Sequence, residues 1–244
     1  MFILKLLLAL LPAILLAAFI YWKDARKEPI SWLAKTFGLG IIIAFPIVTV
    51  EVWIGDLLFA GGEPTTLIGG ILKAFFEAAL PEEALKLLAL WLILRSNPYF
   101  DEHFDGIVYA VYLGLGFAAI ENIFYIIDAE EWMTLGIMRA LLAVPGHYAY
   151  AVIMGYYYSL YHFVDKSAKN AFLALFLPFL AHGIYDAILM GAPFSPVLET
   201  ISIPVVVYLT YKMQRFAYNR ITILVQKDSA LPQDGDSSTP KDSM

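Results

Sequence analysis

The chain contains a series of apolar runs, each about as long as a helix must be to cross a membrane. A crossing of the hydrocarbon core needs roughly 20 mostly apolar residues. The runs cover residues 2–21, 32–58, 67–94, 106–127, 134–161, 171–190 and 197–211. Charged residues make up only 16% of the chain, whereas soluble domains carry about 25%. The sequence therefore predicts an all-α integral membrane protein, a polytopic bundle with about seven transmembrane helices.

The third run contains a proline, Pro81, well inside the apolar stretch. Proline has no backbone N–H and its ring clashes with the preceding turn, so we expect a kink or break near this residue. The run is long enough that such a break allows eight helices. We interpret it as one broken crossing, because two full crossings here would disturb the pattern of loop charges.

Lysine and arginine are concentrated in alternate loops. Basic residues follow the first, fifth and seventh runs, at Lys23, Arg26, Lys27, Lys166, Lys169, Lys212, Arg215, Arg220 and Lys227. Loops rich in lysine and arginine stay on the cytoplasmic side of a membrane. The sequence predicts a multi-pass membrane protein with its N-terminus outside and its C-terminus in the cytoplasm.

The last residues have a different composition from the apolar runs. From about Asp228 the chain is rich in serine, aspartate, proline and glycine, a composition that does not bury enough apolar surface to fold. We expect one integral membrane domain at 1–227 and a disordered cytoplasmic tail at 228–244.

The chain has no cysteine, which excludes disulfides and thiolate ligands. Its net charge of −6 gives no indication of nucleic-acid binding.

Three ionisable side chains follow Pro81 inside the third predicted span: Glu82, Glu83 and Lys86. An ionisable group inside a bilayer costs several kcal/mol, so each is a candidate functional residue. Glu82 and Lys86 are four residues apart and lie on one helix face, where they can form an ion pair. Two adjacent glutamates within a span are not explained by that pair alone.

Later spans add further polar side chains. Glu121 is followed by Asn122, His147 follows a proline and a glycine, and His182 precedes Asp186 by four residues. The last spacing places both side chains on one helix face. It suits two ligands of one ion, or a histidine whose second nitrogen is held by a carboxylate.

The depths of these residues predict that they meet. Counted at about 1.5 Å per residue, Glu82, Glu121, His147 and His182 all fall in the outer half of the membrane. One polar cluster is less costly than four isolated groups, because its members satisfy each other. Other charged residues lie closer to helix ends, and we interpret them mainly as interfacial anchors or counter-charges: Glu51, Asp56, Lys73, Glu77 and Arg139.

Such a cluster suits the activation of water, and one form of this chemistry uses a metal. Glu121, His147 and His182 are plausible ligands of a divalent ion with an open position for water. Zinc is the ion that these nitrogen and oxygen ligands suit best. Glu82 then acts as the general base. Side chains that support these ligands or add a further one are Asp186, Asn122 and Lys86.

The other form needs no metal. Glu82 or Glu83 deprotonates water directly, and a histidine donates a hydrogen bond to the developing oxyanion. The candidate ligands lie on separate helices, so no short metal motif decides between the two forms.

Four ordered motifs together resemble the PrsW family of bacterial intramembrane proteases. They are PEEALK at 81–86, DG at 105–106 with GFAAIEN at 116–122, PGH at 145–147 and HGIYD at 182–186. The resemblance covers about residues 70–190. It implies that residues 1–227 are a protease domain that cleaves membrane-anchored anti-sigma factors on their extracytoplasmic side, which releases a stress sigma factor after further proteolysis.

The same resemblance places the chain in a wider superfamily with the CAAX-type prenyl-protein proteases. Glu121 and Asp186 differ from that branch, which has a histidine and an asparagine at these motif positions. The two differences favour a site able to hold a cation, and the sequence gives no indication of prenylated substrates.

Two other classes of protein share some of these features. Transporters also contain broken helices and intramembrane carboxylates, although no pair of related halves is visible in the sequence. A membrane scaffold without catalytic activity that binds single-span proteins is the third hypothesis.

Overall fold

The computed structural model describes residues 2–230, which form helices and no strand. Seven helical rods follow one another, some built from segments joined end to end. They are α1 (Phe2–Lys23), α2 (Ile30–Phe59), α3 (67–94), α4 (Asp105–Ile126), α5 (Trp132–Asp165), α6 (Ala168–Gly191) and α7 (Pro196–Ser229). The predicted all-α bundle of seven helices is confirmed.

Five of the rods are long and apolar enough to cross a membrane: α1, α2, α4, α5 and α6. Many large apolar side chains on their outer faces are exposed, among them Ile3, Ile42, Trp53 and Phe172. An exposed apolar surface of this extent suits contact with lipid. The protein is therefore a multi-pass membrane protein.

The third rod passes Pro81 without a break. Its irregularity is a π-helical segment, Lys73–Ala79, in which the Leu80 N–H bonds the Phe75 carbonyl five residues back. This wider turn relieves the clash between a proline ring and the preceding carbonyl. The kink or break expected near Pro81 is thus a π-helical turn within one continuous helix, and the chain has no eighth rod here.

The fifth rod repeats this device. A second π-helical segment, Arg139–Ala143, directly precedes Val144 and Pro145. π-helical turns occur often at functional sites. In both rods the turn lies immediately before the polar residues predicted to form the site, Glu82 and Glu83 in α3 and His147 in α5.

Helix α4 lies at the centre of the bundle, and most of its residues are buried. Glycines allow its close contact with α2. A methyl group on Gly116 would lie 2.1 Å from the Phe37 carbonyl oxygen, and one on Gly40 would lie 2.1 Å from the Leu113 carbonyl oxygen. Small residues at such contacts bring membrane helices close together. This packing fixes the position of Glu121 on α4.

The end of α7 is attached to the loop between α3 and α4. The Asp228 carboxylate accepts hydrogen bonds from the backbone N–H groups of His103 (3.1 Å) and Phe104 (2.7 Å). Asp228 and Ser229 belong to α7, although they lie at the start of the segment predicted to be a disordered tail. The remainder of that segment, residues 231–244, lies outside the described residues.

Candidate active site

Four of the residues predicted from the sequence come together inside the bundle. Glu82 and Glu83 from α3, His147 from α5 and His182 from α6 each place one nitrogen or oxygen atom within 4.8 Å of the others. All four side chains are buried. Three rods of the bundle therefore contribute to one site.

Lys86 lies among the same atoms. Its ammonium donates hydrogen bonds to Glu82 Oε2 (2.7 Å) and to Glu83 Oε1 (3.0 Å), and lies 3.4 Å from His147 Nδ1. It also lies 4.0 Å from the centre of the Phe117 ring. The predicted pair with Glu82 is present, and the same ammonium compensates the second carboxylate.

His182 has a carboxylate beside each ring nitrogen. Its Nδ1 lies 3.0 Å from Glu83 Oε1, and its Nε2 lies 3.2 Å from Asp186 Oδ2. The ring stacks on Tyr150, with 4.8 Å between the ring centres. Tyr150 is not among the site residues predicted from the sequence, because an aromatic residue in a membrane helix is ordinary. Two carboxylates and one aromatic ring therefore fix the orientation of the His182 imidazole.

Glu121 lies next to the four-residue group and contacts His147 on the ring nitrogen that does not face Lys86. Glu121 Oε2 lies 2.8 Å from His147 Nε2 and 2.8 Å from an Arg139 guanidinium nitrogen. Arg139 also donates from Nε to Asn122 Oδ1 at 2.7 Å. Asn122 donates in turn to the Ala9 carbonyl at 3.4 Å. Glu121 and Arg139 thus orient His147, and Asn122 supports Arg139.

The site forms part of the wall of a cavity of about 1010 Å³. Glu82, His147 and His182 line it, whereas Glu83 does not. Residues from α2 to α7 contribute, and most of the lining is apolar, for example Phe45, Val48, Phe124, Leu135, Leu142 and Leu189. Such a cavity is large enough for several residues of an extended peptide.

The donor atoms fit a divalent metal ion. Two carboxylates and two imidazoles are ligands that zinc accepts. Glu83 Oε2 is buried and has no hydrogen-bond partner among the described residues, so this atom is unsatisfied within the protein. The same ligand space contains the Lys86 ammonium, which must share the carboxylates with an ion or move aside.

Buried carboxylates and imidazoles beside a large cavity in a membrane bundle suit an intramembrane hydrolase. The sequence comparisons agree with this class. Residues 28–213 match the family described as PrsW family intramembrane metalloprotease. The chain therefore belongs to the PrsW family of intramembrane metalloproteases, as the four motifs indicated.

Curated relatives named Protease PrsW align over most of their length. The protein from Oceanobacillus iheyensis is 35% identical over 86% of this chain and 94% of its own. The protein from Clostridioides difficile is 37% identical over 75% of this chain and 78% of its own. The protein from Bacillus subtilis is 36% identical over 73% and 79%. No solved structure matches the chain.

Proposed function

We propose that this protein cleaves a membrane-anchored, single-span protein near its extracytoplasmic side. The substrate class that fits the family resemblance is an anti-sigma factor, for which this would be the first cut in regulated proteolysis. The observation that carries the proposal is the buried Glu82–Glu83–His147–His182 cluster beside a cavity of about 1010 Å³. An apolar cavity with a few polar groups suits part of an unwound transmembrane peptide.

Glu82 is the candidate general base. Its carboxylate lines the cavity, where a water molecule and a peptide carbonyl can approach it. Glu83 is held by Lys86 and His182 and does not reach the cavity. Glu82 would accept a proton from water as the oxygen attacks the carbonyl, and would then donate that proton to the departing amine.

The candidate metal ligands are Glu83, His147 and His182, and the ion that suits them best is zinc. When bound, such an ion lowers the pKa of water and polarises the peptide carbonyl. The alternative ligand set from the sequence contains Glu121, His147 and His182. The contact between Glu121 and His147 Nε2 supports a role for Glu121 in orienting the imidazole, since that contact leaves Nδ1 to face the other donors.

Asp186 is proposed to orient His182, on which it acts through Nε2 at 3.2 Å. Replacing Asp186 by alanine should lower both metal affinity and activity by about 10- to 100-fold, the usual effect of losing a carboxylate that supports a metal-binding histidine. Metal analysis and cleavage assays of the purified variant measure the two effects. Unchanged metal affinity together with full activity would exclude this role.

The proposed orientation rests on the loop charges and has its own test. Reporter domains fused after Lys27 and after Arg220 should report the cytoplasm, and one inserted near Glu63 should report the outside. A reporter that requires the oxidising exterior and one that requires the cytoplasm give independent readings. Opposite locations for the two basic segments would contradict the seven-span topology.

A cleavage assay separates this proposal from the transporter and scaffold hypotheses. The purified protein, reconstituted in vesicles with a tagged single-span protein, should produce two fragments. A scaffold would bind the same protein and leave it intact. A transporter would move a solute across the vesicle membrane without producing fragments.

A further inference from the structure

A carboxylate outside the cluster faces the same cavity. Glu51 on α2 is half-buried and lines the cavity, and its carboxylate forms no hydrogen bond or ion pair with any residue in the range 2–230. The non-exposed carboxylates around it that line the cavity do have partners. Glu77 pairs with Lys73, Glu82 with Lys86, and Glu121 with Arg139.

An unpaired carboxylate in this setting is costly. An ionised carboxylate in an apolar environment needs a compensating partner, and without one it takes up a proton. Glu51 precedes the end of α2 at Phe59 by eight residues, which places it about 12 Å from that end. Glu121 and His182 precede the corresponding ends of α4 (Ile126) and α6 (Gly191) by about 8 and 14 Å, so Glu51 lies between them in depth.

Glu82 and Glu121 place negative charge close to Glu51, and the Lys86 ammonium nearby already pairs with Glu82 and Glu83. These charges favour an added positive partner for Glu51. Gly55 lies one turn further along α2, and a methyl group there would lie 2.9 Å from Glu77 Oε2. This contact puts the Glu77 carboxylate on the same wall as Glu51. Lys73 already pairs with Glu77 and with the exposed Glu63, so its charge is compensated without Glu51.

We propose that Glu51 selects substrates by binding a cationic side chain, lysine or arginine, beside the outer end of the substrate's span. This inference rests on the proposed function, and it restricts the substrates to single-span proteins that carry a lysine or arginine at this position. The long stems of these side chains let the charge reach a carboxylate buried beside an apolar surface. The outer flanks of membrane spans are generally poor in lysine and arginine, so a cation there distinguishes a minority of single-span proteins.

The test uses matched substrates with the full-length protein reconstituted in vesicles. Single-span proteins that differ only by Lys, Gln or Glu at successive positions near the outer end of the span are cleaved in parallel. The wild type should prefer Lys to Glu by about 10- to 100-fold in kcat/KM at the best position, as expected for a charged hydrogen-bonded pair.

Substitution of Glu51 should change this preference. Glu51→Gln should bring the Lys-to-Glu ratio close to one, and Glu51→Lys should invert it. The matched control is Asp56→Asn, which removes a carboxylate from the same helix at an exposed position outside the cavity lining. The control should keep the wild-type ratio.

Several outcomes would overturn the inference. Equal cleavage of the Lys and Glu substrates by the wild type would exclude charge selection. A wild-type ratio in Glu51→Lys would assign selection to another residue. Loss of all cleavage by a folded, metal-containing Glu51→Gln would place Glu51 in the chemistry instead. Absence of cleavage of every substrate by the wild type would be a failure of the proposed function itself.

Discussion

Replacing Glu82 by glutamine should lower the rate of substrate cleavage by about 10²–10⁴-fold, the usual effect of removing a general base. Glutamine keeps the shape of the side chain and still accepts the hydrogen bond that Lys86 donates at 2.7 Å. It lacks the basicity needed to take a proton from water. The variant should therefore remain folded and inserted, and lose only its activity.

The control for this variant is Glu199→Gln, which removes an exposed carboxylate at the start of α7, outside the cavity lining. Glu199→Gln should keep wild-type activity, because Glu199 is exposed and does not line the cavity. Glu83→Gln serves as the comparison within the cluster. Wild-type cleavage by Glu82→Gln, with loss of cleavage by Glu83→Gln, would assign the base to Glu83.

The second large effect concerns the metal. Replacing His182 by alanine should remove most of the bound ion and lower activity by more than about 100-fold, since the loss of a supporting residue alone costs about 10- to 100-fold. His147→Ala should behave in the same way. Metal analysis of the purified protein and cleavage assays measure both quantities on one sample.

Another histidine supplies the control. His162 lies near the end of α5, where its ring contacts Phe100, away from the cluster. His162→Ala should retain both metal and activity. Full activity of wild-type protein from which all metal has been removed by chelation would contradict the metal-dependent mechanism. Water activated directly by a glutamate would then be the remaining account.

The helices were predictable because a membrane imposes a length on apolar segments. Each apolar run became a helical rod, and the ion pair between Glu82 and Lys86 followed from helical spacing. The length of α7 was not predictable, because the run ends at Tyr211 and the helix continues with a mixed polar sequence to Ser229. Its polar second half has no hydropathy signal.

Most members of the cluster were predictable for a related reason. Ionisable residues within spans are costly, so Glu82, Glu83, His147 and His182 stood out. The estimated depths of Glu82, Glu121, His147 and His182 placed these four in the same half of the membrane, where they can meet. The contact between Glu121 and Arg139 was not predictable. It depends on how α4 and α5 are rotated about their axes, which spacing along one helix does not reveal.

Glu51 illustrates the same limit. Its position near a helix end suggested an interfacial anchor or a counter-charge, and its place in the cavity wall became visible only once α2 was packed against α4. The π-helical turns also escaped prediction in detail, since proline marks where a helix is irregular and not which hydrogen bonds replace the regular ones.

The most direct test of the account is the reaction itself. Purified, zinc-supplied protein in vesicles is incubated with a tagged, membrane-anchored anti-sigma factor, and the fragments are measured by mass spectrometry. The account predicts two fragments whose junction lies at the outer end of the substrate's span, formed by the wild type and not by Glu82→Gln. An intact substrate with folded, zinc-containing wild type, or the same fragments from Glu82→Gln, would contradict it.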